Sequence, residues 1–178
     1  MATVIHRETA ELRVSVDENR YPDPPWLHTP DLSAVAAVDR RWWKVVGDKV
    51  VEMSEAEKLP ALQAEKAARI LARTAELQAL GFEFPPGSGQ RFSLTQEASN
   101  YWVSMMVAAG AGLLQYPVNA GIMGDGTYAL ADASAVATFC AAALDRGRAL
   151  VEGEADLKRQ VYAATTIAAL DAVTDGRE

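Results

Sequence analysis

The sequence predicts an α+β protein. Three observations predict it: two strand-turn-strand patterns rich in aromatic and β-branched residues, at 41–53 and 82–94; a capped helical stretch from Ser54 to Leu80; and alanine-rich helical patterns through most of 95–173. The predicted layout is an extended, β-containing segment over 1–53, a connecting helix over 54–81 and a compact α+β module over 82–178.

The first segment reads as extended. Val4 and Arg13-Val14-Ser15-Val16 suit short strands, and Pro22, Pro24 and Pro25 suit polyproline-like connections. Trp26, Leu27 and Leu32 are apolar anchors between prolines. The clearest hairpin pairs Arg41-Trp42-Trp43-Lys44-Val45-Val46 with Lys49-Val50-Val51-Glu52-Met53. Its Gly47-Asp48 turn favours type II′ or a related form, because glycine accepts positive φ. A lone hairpin is marginal in water, so this one needs a further strand, a helix or another subunit.

Ser54 and Glu57 form a capping-box pattern that starts the connecting helix, and Gly81 is its stop. Pro60 either kinks this helix or restarts it. Leu59, Leu62, Ile70, Leu77 and Leu80 share one stripe, with Lys66 and Arg73 interrupting it. Ala64, Ala67, Ala68, Leu71 and Ala75 lie opposite. Two apolar sides predict a helix between two bodies, unless the alanines only favour the helix on a solvated face.

Pro85-Pro86-Gly87-Ser88-Gly89 turns the second hairpin. Thr95 caps a helix with Tyr101, Trp102, Met105 and Met106 in helical spacing, ended by Gly110 and Gly112. A short β element is expected at Gly121-Ile122-Met123 and Thr127–Leu130, turning at Gly124-Asp125-Gly126. Asp132 caps a helix with a stripe of Val136, Phe139, Cys140, Ala143, Leu144 and Leu150. Leu157, Val161 and Ala164 mark a further helix, and Thr165 or Thr166 caps the last one, with Leu170 and Val173 facing inward.

Composition narrows the function classes. The chain has 178 residues, 49% of them hydrophobic and 23% charged, and a net charge of −7. That acidity argues against a nucleic-acid surface, and less strongly against anionic membranes. No stretch approaches the length of a membrane-spanning helix, and Met1–Arg13 does not read as a signal peptide. The single cysteine, Cys140, excludes an internal disulfide and fits synthesis in a reducing cytoplasm.

No motif points to catalysis, a cofactor or a metal. His6 and His28 have no metal-ligand spacing to each other or to Cys140. Cys140 falls on an apolar helix face, where a small buried thiol is usual. The serines lack a nucleophile elbow, and the glycine pairs at Gly87-Ser88-Gly89 and Gly124-Asp125-Gly126 do not continue into a phosphate loop. Glu52, Glu55 and Glu57 fit capping and helix-dipole roles. An enzyme is the weakest reading. Trp42-Trp43 is a hint of surface function. Successive strand residues point to opposite faces, so one indole meets the local core and the other a second layer or the outside. The candidate partner-binding residues are Trp26, Trp42, Trp43, Leu62, Ile70 and Leu77.

The carboxy-terminal block resembles an uncharacterised domain family found at the ends of bacteriophage tail-fibre and tail-fibre-assembly proteins. The residues that carry the resemblance are Gln90-Arg91-Phe92-Ser93-Leu94-Thr95, Glu97-Ala98-Ser99-Asn100, Ala141-Ala142-Ala143-Leu144, Asp156-Leu157-Lys158, Ala163-Ala164-Thr165-Thr166 and Leu170. Gly121-Ile122-Met123 stands where that family has a tryptophan-containing strand. The amino-terminal half is similar to a second phage-associated module through Val4-Ile5-His6-Arg7, Tyr21-Pro22, Trp26, Pro30-Asp31-Leu32-Ser33, Trp43–Asp48 and Val51–Glu57. The two resemblances imply a virion structural protein that docks on tail, fibre, neck or capsid proteins. They imply a homo-oligomer, a trimer by analogy with fibres, located in the virion and in the host cytoplasm during assembly. A tail-fibre assembly chaperone and a host glycan-binding tip are the alternatives. Neither family brings a catalytic residue to carry over.

Overall fold

The computed structural model describes residues 2–177. Strands β1 (Ala2–His6), β2 (Leu12–Val16) and β3 (Trp26–His28) form an antiparallel sheet in the order β2-β1-β3. Ile5 pairs with Leu12 on one side and Leu27 on the other. Strands β4 (Trp43–Val46) and β5 (Lys49–Glu52) form the expected hairpin, with Val46 opposite Lys49. Gly47 has φ +61, the left-handed position that the first turn residue of a type II′ hairpin needs.

One detail of this hairpin is corrected. The strand begins at Trp43, not Arg41, because Asp39 accepts a hydrogen bond from the Arg41 amide at 3.0 Å and caps a single 3-10 turn over Arg40–Trp42. Trp42 and Trp43 are therefore not neighbours in one strand.

Helix α1 (Glu55–Leu80) starts where the capping box places it. The Glu57 carboxylate accepts from the Ser54 amide at 2.7 Å and from its hydroxyl at 2.8 Å. It runs unbroken through Pro60, neither restarting nor ending there. Strands β6 (Phe82–Glu83) and β7 (Arg91–Phe92) follow, then α2 (Gln96–Gly110), capped by the Thr95 hydroxyl on the Ala98 amide at 3.3 Å. The next hairpin joins β8 (Val118–Gly121) to β9 (Thr127–Leu130). Its first strand lies earlier than expected, because the Met123 amide turns away to the Arg91 carbonyl at 2.7 Å. Helix α3 (Ala133–Ala163) is capped by Asp132 on the Ala135 amide at 2.9 Å. It is one helix of 31 residues where the sequence predicts two. Helix α4 (Ile167–Ala172) is the last element and buries Leu170. The fold class is α+β.

The chain divides into two compact units. The first holds the described residues up to Leu62 together with Thr165–Ile167, and the second holds Gln63–Ala164 and the described residues from Ala168 onward. Helix α1 starts in the first and continues in the second. Each unit has its own core. Ile5, Val35, Trp43 and Val50 form that of the first. In the second, Phe139 is the hub of an aromatic cluster, with ring centroids 4.8 Å from Phe92, 5.0 Å from Trp102, 5.2 Å from Phe84 and 5.3 Å from Phe82. Such edge-on and tilted arrangements add to the area these rings bury.

Candidate functional site

The three tryptophans of the first unit have different surroundings. Trp26 is half-buried on β3. His6 and Tyr21 pack edge-on against it, with centroids at 4.9 and 4.8 Å. Trp43 is buried and donates through Nε1 to the Val38 carbonyl at 3.0 Å. Trp42 is half-buried, with the Arg41 guanidinium 4.4 Å from its ring centroid and the Lys58 ammonium 5.9 Å away. Lys58 is itself ion-paired with Glu52. A cation over an indole face is held by the ring quadrupole. Trp42 thus sits between two cations that are each ion-paired, Arg41 with Asp39 at 3.5 Å and Lys58 with Glu52, and Arg41 and Lys58 belong to this spot although the sequence reading did not single them out. The adjacent Arg41-Trp42 pair was a usable signal. Lys58 was not, because only the fold brings α1 to that ring.

Of the candidate helix residues, Leu62 is half-buried, while Ile70 and Leu77 are buried. Leu77 belongs to the core cluster of the second unit. Ile70 and Leu77 are therefore taken up by packing within the chain and are not surface available to a partner. The buried side of α1 combines Ile70 and Leu77 with Ala67 and Thr74, so it is rotated toward Ala67 from the stripe the sequence suggests. Ala64, Ala68, Leu71 and Ala75 are exposed.

The reactive groups have structural partners. The His28 Nε2 lies 2.6 Å from the Tyr21 carbonyl oxygen, and the His6 Nδ1 faces the amides of Glu8 and Thr9 at 3.4 and 3.3 Å. The Cys140 thiol is buried and donates to the Trp102 carbonyl at 3.3 Å. Burial pushes it up to about 11, which leaves little thiolate at neutral pH. The Glu57 carboxylate is held down to about 2 by its hydrogen bonds from Lys44 and from the Ser54 amide and hydroxyl. Among the described residues no three His, Cys, Asp or Glu side chains gather as a metal site would require. An open polar depression on the first unit is lined by Thr3, Ser15, Asp17, Asn19 and Thr29 among others. Its one carboxylate, Asp17, accepts from the Asn19 amide and side chain at 3.2 and 3.0 Å. Among the described residues no helix is long and apolar enough to cross a membrane.

Comparison of the chain with protein-family models, curated proteins and solved structures gives no match.

Proposed function

We propose that the protein is a bacteriophage virion structural component that acts by docking onto other tail, fibre, neck or capsid proteins. The observation that carries this reading is the presence, in one chain, of two segments that each resemble a phage-associated module. Two features support it. The amino-terminal resemblance falls largely in one compact unit and the carboxy-terminal one largely in the other, each unit having its own core. The histidines, the thiol and Glu57 hold turns, helix starts and core contacts, which suits a part that packs against neighbours.

Virion parts are assembled from repeated copies, so the protein is a homo-oligomer in this reading. The Trp42, Arg41 and Lys58 spot is the proposed contact of the first unit with a neighbouring virion protein, and tryptophan and arginine are among the residues that dominate interface energies. Mass spectrometry of purified particles from the producing culture tests the proposal. Recovery of the protein in stoichiometric amounts supports it. Its confinement to the infected-cell cytoplasm would overturn it in favour of an assembly chaperone.

A further inference from the structure

Of the aspartates in this chain only Asp125 and Asp175 are followed by glycine. An Asp-Gly pair carries the elements of a reaction within itself. The glycine amide nitrogen can reach the aspartate's side-chain carbonyl carbon, because no Cβ on the glycine blocks the approach. The two pairs have opposite surroundings. Asp125-Gly126 lies in the turn between β8 and β9, outside the strand ladder, and both residues are exposed. Gly124 and Gly126 flank the aspartate with φ +97 and +106. Among the described residues no hydrogen bond or ion pair engages the Asp125 carboxylate. The Asp175 carboxylate, by contrast, is held at both oxygens. Its Oδ1 accepts from the Arg177 amide at 3.2 Å and from Nε at 2.8 Å, and its Oδ2 accepts from Nη2 at 2.6 Å. Arg177 is in turn fixed to the Ile70 and Leu150 carbonyls of α1 and α3.

We infer that Asp125-Gly126 is a site of spontaneous isoaspartate formation in the folded protein, and that the Arg177 clasp withholds Asp175-Gly176 from the same reaction. In the first step the Gly126 nitrogen bonds to the Asp125 Cγ. The Cγ–OH bond of the neutral acid breaks, and its hydroxyl leaves with the amide proton as water. Water then adds to one carbonyl of the resulting succinimide. Opening at the main-chain carbonyl leaves a backbone that runs through Cβ and Cγ. One water leaves and one returns, so mass and oxidation state are unchanged.

The clasp opposes this chemistry at Asp175 in two ways. Turning Cγ toward the Gly176 nitrogen breaks the bonds to Arg177, which are charge-assisted and partly shielded from water. Those bonds also favour the charged carboxylate, so the neutral acid that loses hydroxyl is scarcer. Neither obstacle exists at Asp125. Conversion there adds one carbon to the main chain inside a loop closed by the Ile122 amide on the Gly126 carbonyl at 3.1 Å. The adjoining Met123 amide ties this loop to the Arg91 carbonyl at 2.7 Å. The lengthened turn therefore sits where the β8–β9 hairpin is joined to β7. The inference is independent of the virion assignment.

Prolonged warm storage of the native protein at mildly acidic and neutral pH tests it. Trypsin separates the two sites into the peptides Phe92–Arg146 and Gln160–Arg177. Electron-transfer dissociation locates isoaspartate in each, and methyl transfer by an isoaspartyl methyltransferase measures its amount. The expected result is isoaspartate at Asp125 and none at Asp175. The same chain stored in urea is expected to convert at both sites, because the selectivity comes from the fold. Asp125→Glu keeps the charge but cannot close the five-membered ring, and it is expected to abolish methyl acceptance by the native protein. Arg177→Ala, verified as folded by circular dichroism, is expected to add conversion at Asp175. No isoaspartate at Asp125 in the native protein overturns the inference, as does methyl acceptance that survives Asp125→Glu. Equal conversion at the two native sites, or an Asp175 that stays unconverted in Arg177→Ala, overturns the protection by the clasp.

Discussion

The guanidinium of Arg177 donates to the hydroxyl oxygen of Thr74 at 2.8 Å, across 103 residues of sequence. The same fork reaches the Ile70 carbonyl of α1 at 3.1 Å and the Leu150 carbonyl of α3 at 3.3 Å. Asp175 accepts from it at 2.6 and 2.8 Å. Gly153 gives the side chain room, since a Cβ there would stand 3.0 Å from the Arg177 Cδ. One arginine thus ties two helices of the second unit together.

Arg177→Ala is expected to destabilise the second unit by about 2 kcal/mol, because it removes several charge-assisted bonds and leaves the Asp175 carboxylate without its cation. Arg177→Lys keeps the charge but not the planar fork and is expected to fall between. Urea unfolding followed by circular dichroism measures both. An unchanged midpoint for Arg177→Ala would show that the clasp contributes nothing.

The same cluster sets a pH dependence. Asp175 is lowered from its ordinary 3.8, chiefly by its hydrogen bond with Arg177. Glu154 is lowered from 4.5, chiefly by its hydrogen bond with Lys158. Both folded values lie below the unfolded ones, so the unfolded chain binds protons first as the pH falls. The stabilisation is complete above about pH 5.5, declines as the pH passes through 4.5 and 3.8, and is gone below the folded values. Asp175→Asn is expected to flatten the stability curve in that window. Unfolding midpoints taken from pH 7 to pH 3 check it, and parallel curves for the variant and the wild type would contradict it.

What was legible in the sequence is what local chemistry decides. The Gly47-Asp48 turn, the caps at Thr95 and Asp132, and the stop at Gly81 each depend on residues within one turn of each other. Thr74 was not legible, since a threonine in a helix looks solvated until Arg177 arrives from the far end of the chain. The length of α3 was hidden for a related reason. The stripe from Val136 to Leu150 and the one from Leu157 to Ala164 read as two helices, yet the fold runs straight through Gly153, which makes room for Arg177. Ile70 and Leu77 show a third limit. An apolar stripe requires a cover, but does not say whether the same chain provides it.

Gly81 ends α1 with φ +72, and a Cβ there would stand 2.1 Å from the Phe92 carbonyl oxygen. Gly81→Ala meets both a left-handed backbone and a main-chain clash, so a loss of at least about 2 kcal/mol is expected. Gly147 within α3 is the control, because a Cβ there meets nothing within 4 Å. Gly147→Ala is expected to gain about 0.5–1 kcal/mol from helix propensity. Thermal melts of the two variants should therefore move in opposite directions, and a shift of the same sign would refute the contrast.

Trp42 and Trp43 are adjacent in sequence and should respond unequally to substitution. Trp43 is 6% exposed, lies in the core of the first unit and donates to the Val38 carbonyl. Trp43→Ala is expected to cost about 3–5 kcal/mol, from the lost burial and the cavity left behind. Trp43→Phe keeps most of the volume but strands the Val38 carbonyl, a loss of about 1–3 kcal/mol. Trp42 is only half-buried, and its stacked partner Arg41 can return to solvent, so Trp42→Ala is expected to cost about 1 kcal/mol. The functional consequence runs the other way. If the first unit docks through Trp42, a folded Trp42→Ala protein fails to enter particles that incorporate the wild type. Unfolding curves and particle incorporation, measured on the same variants, separate the two roles. A Trp42→Ala protein that incorporates normally would remove this residue from the docking surface.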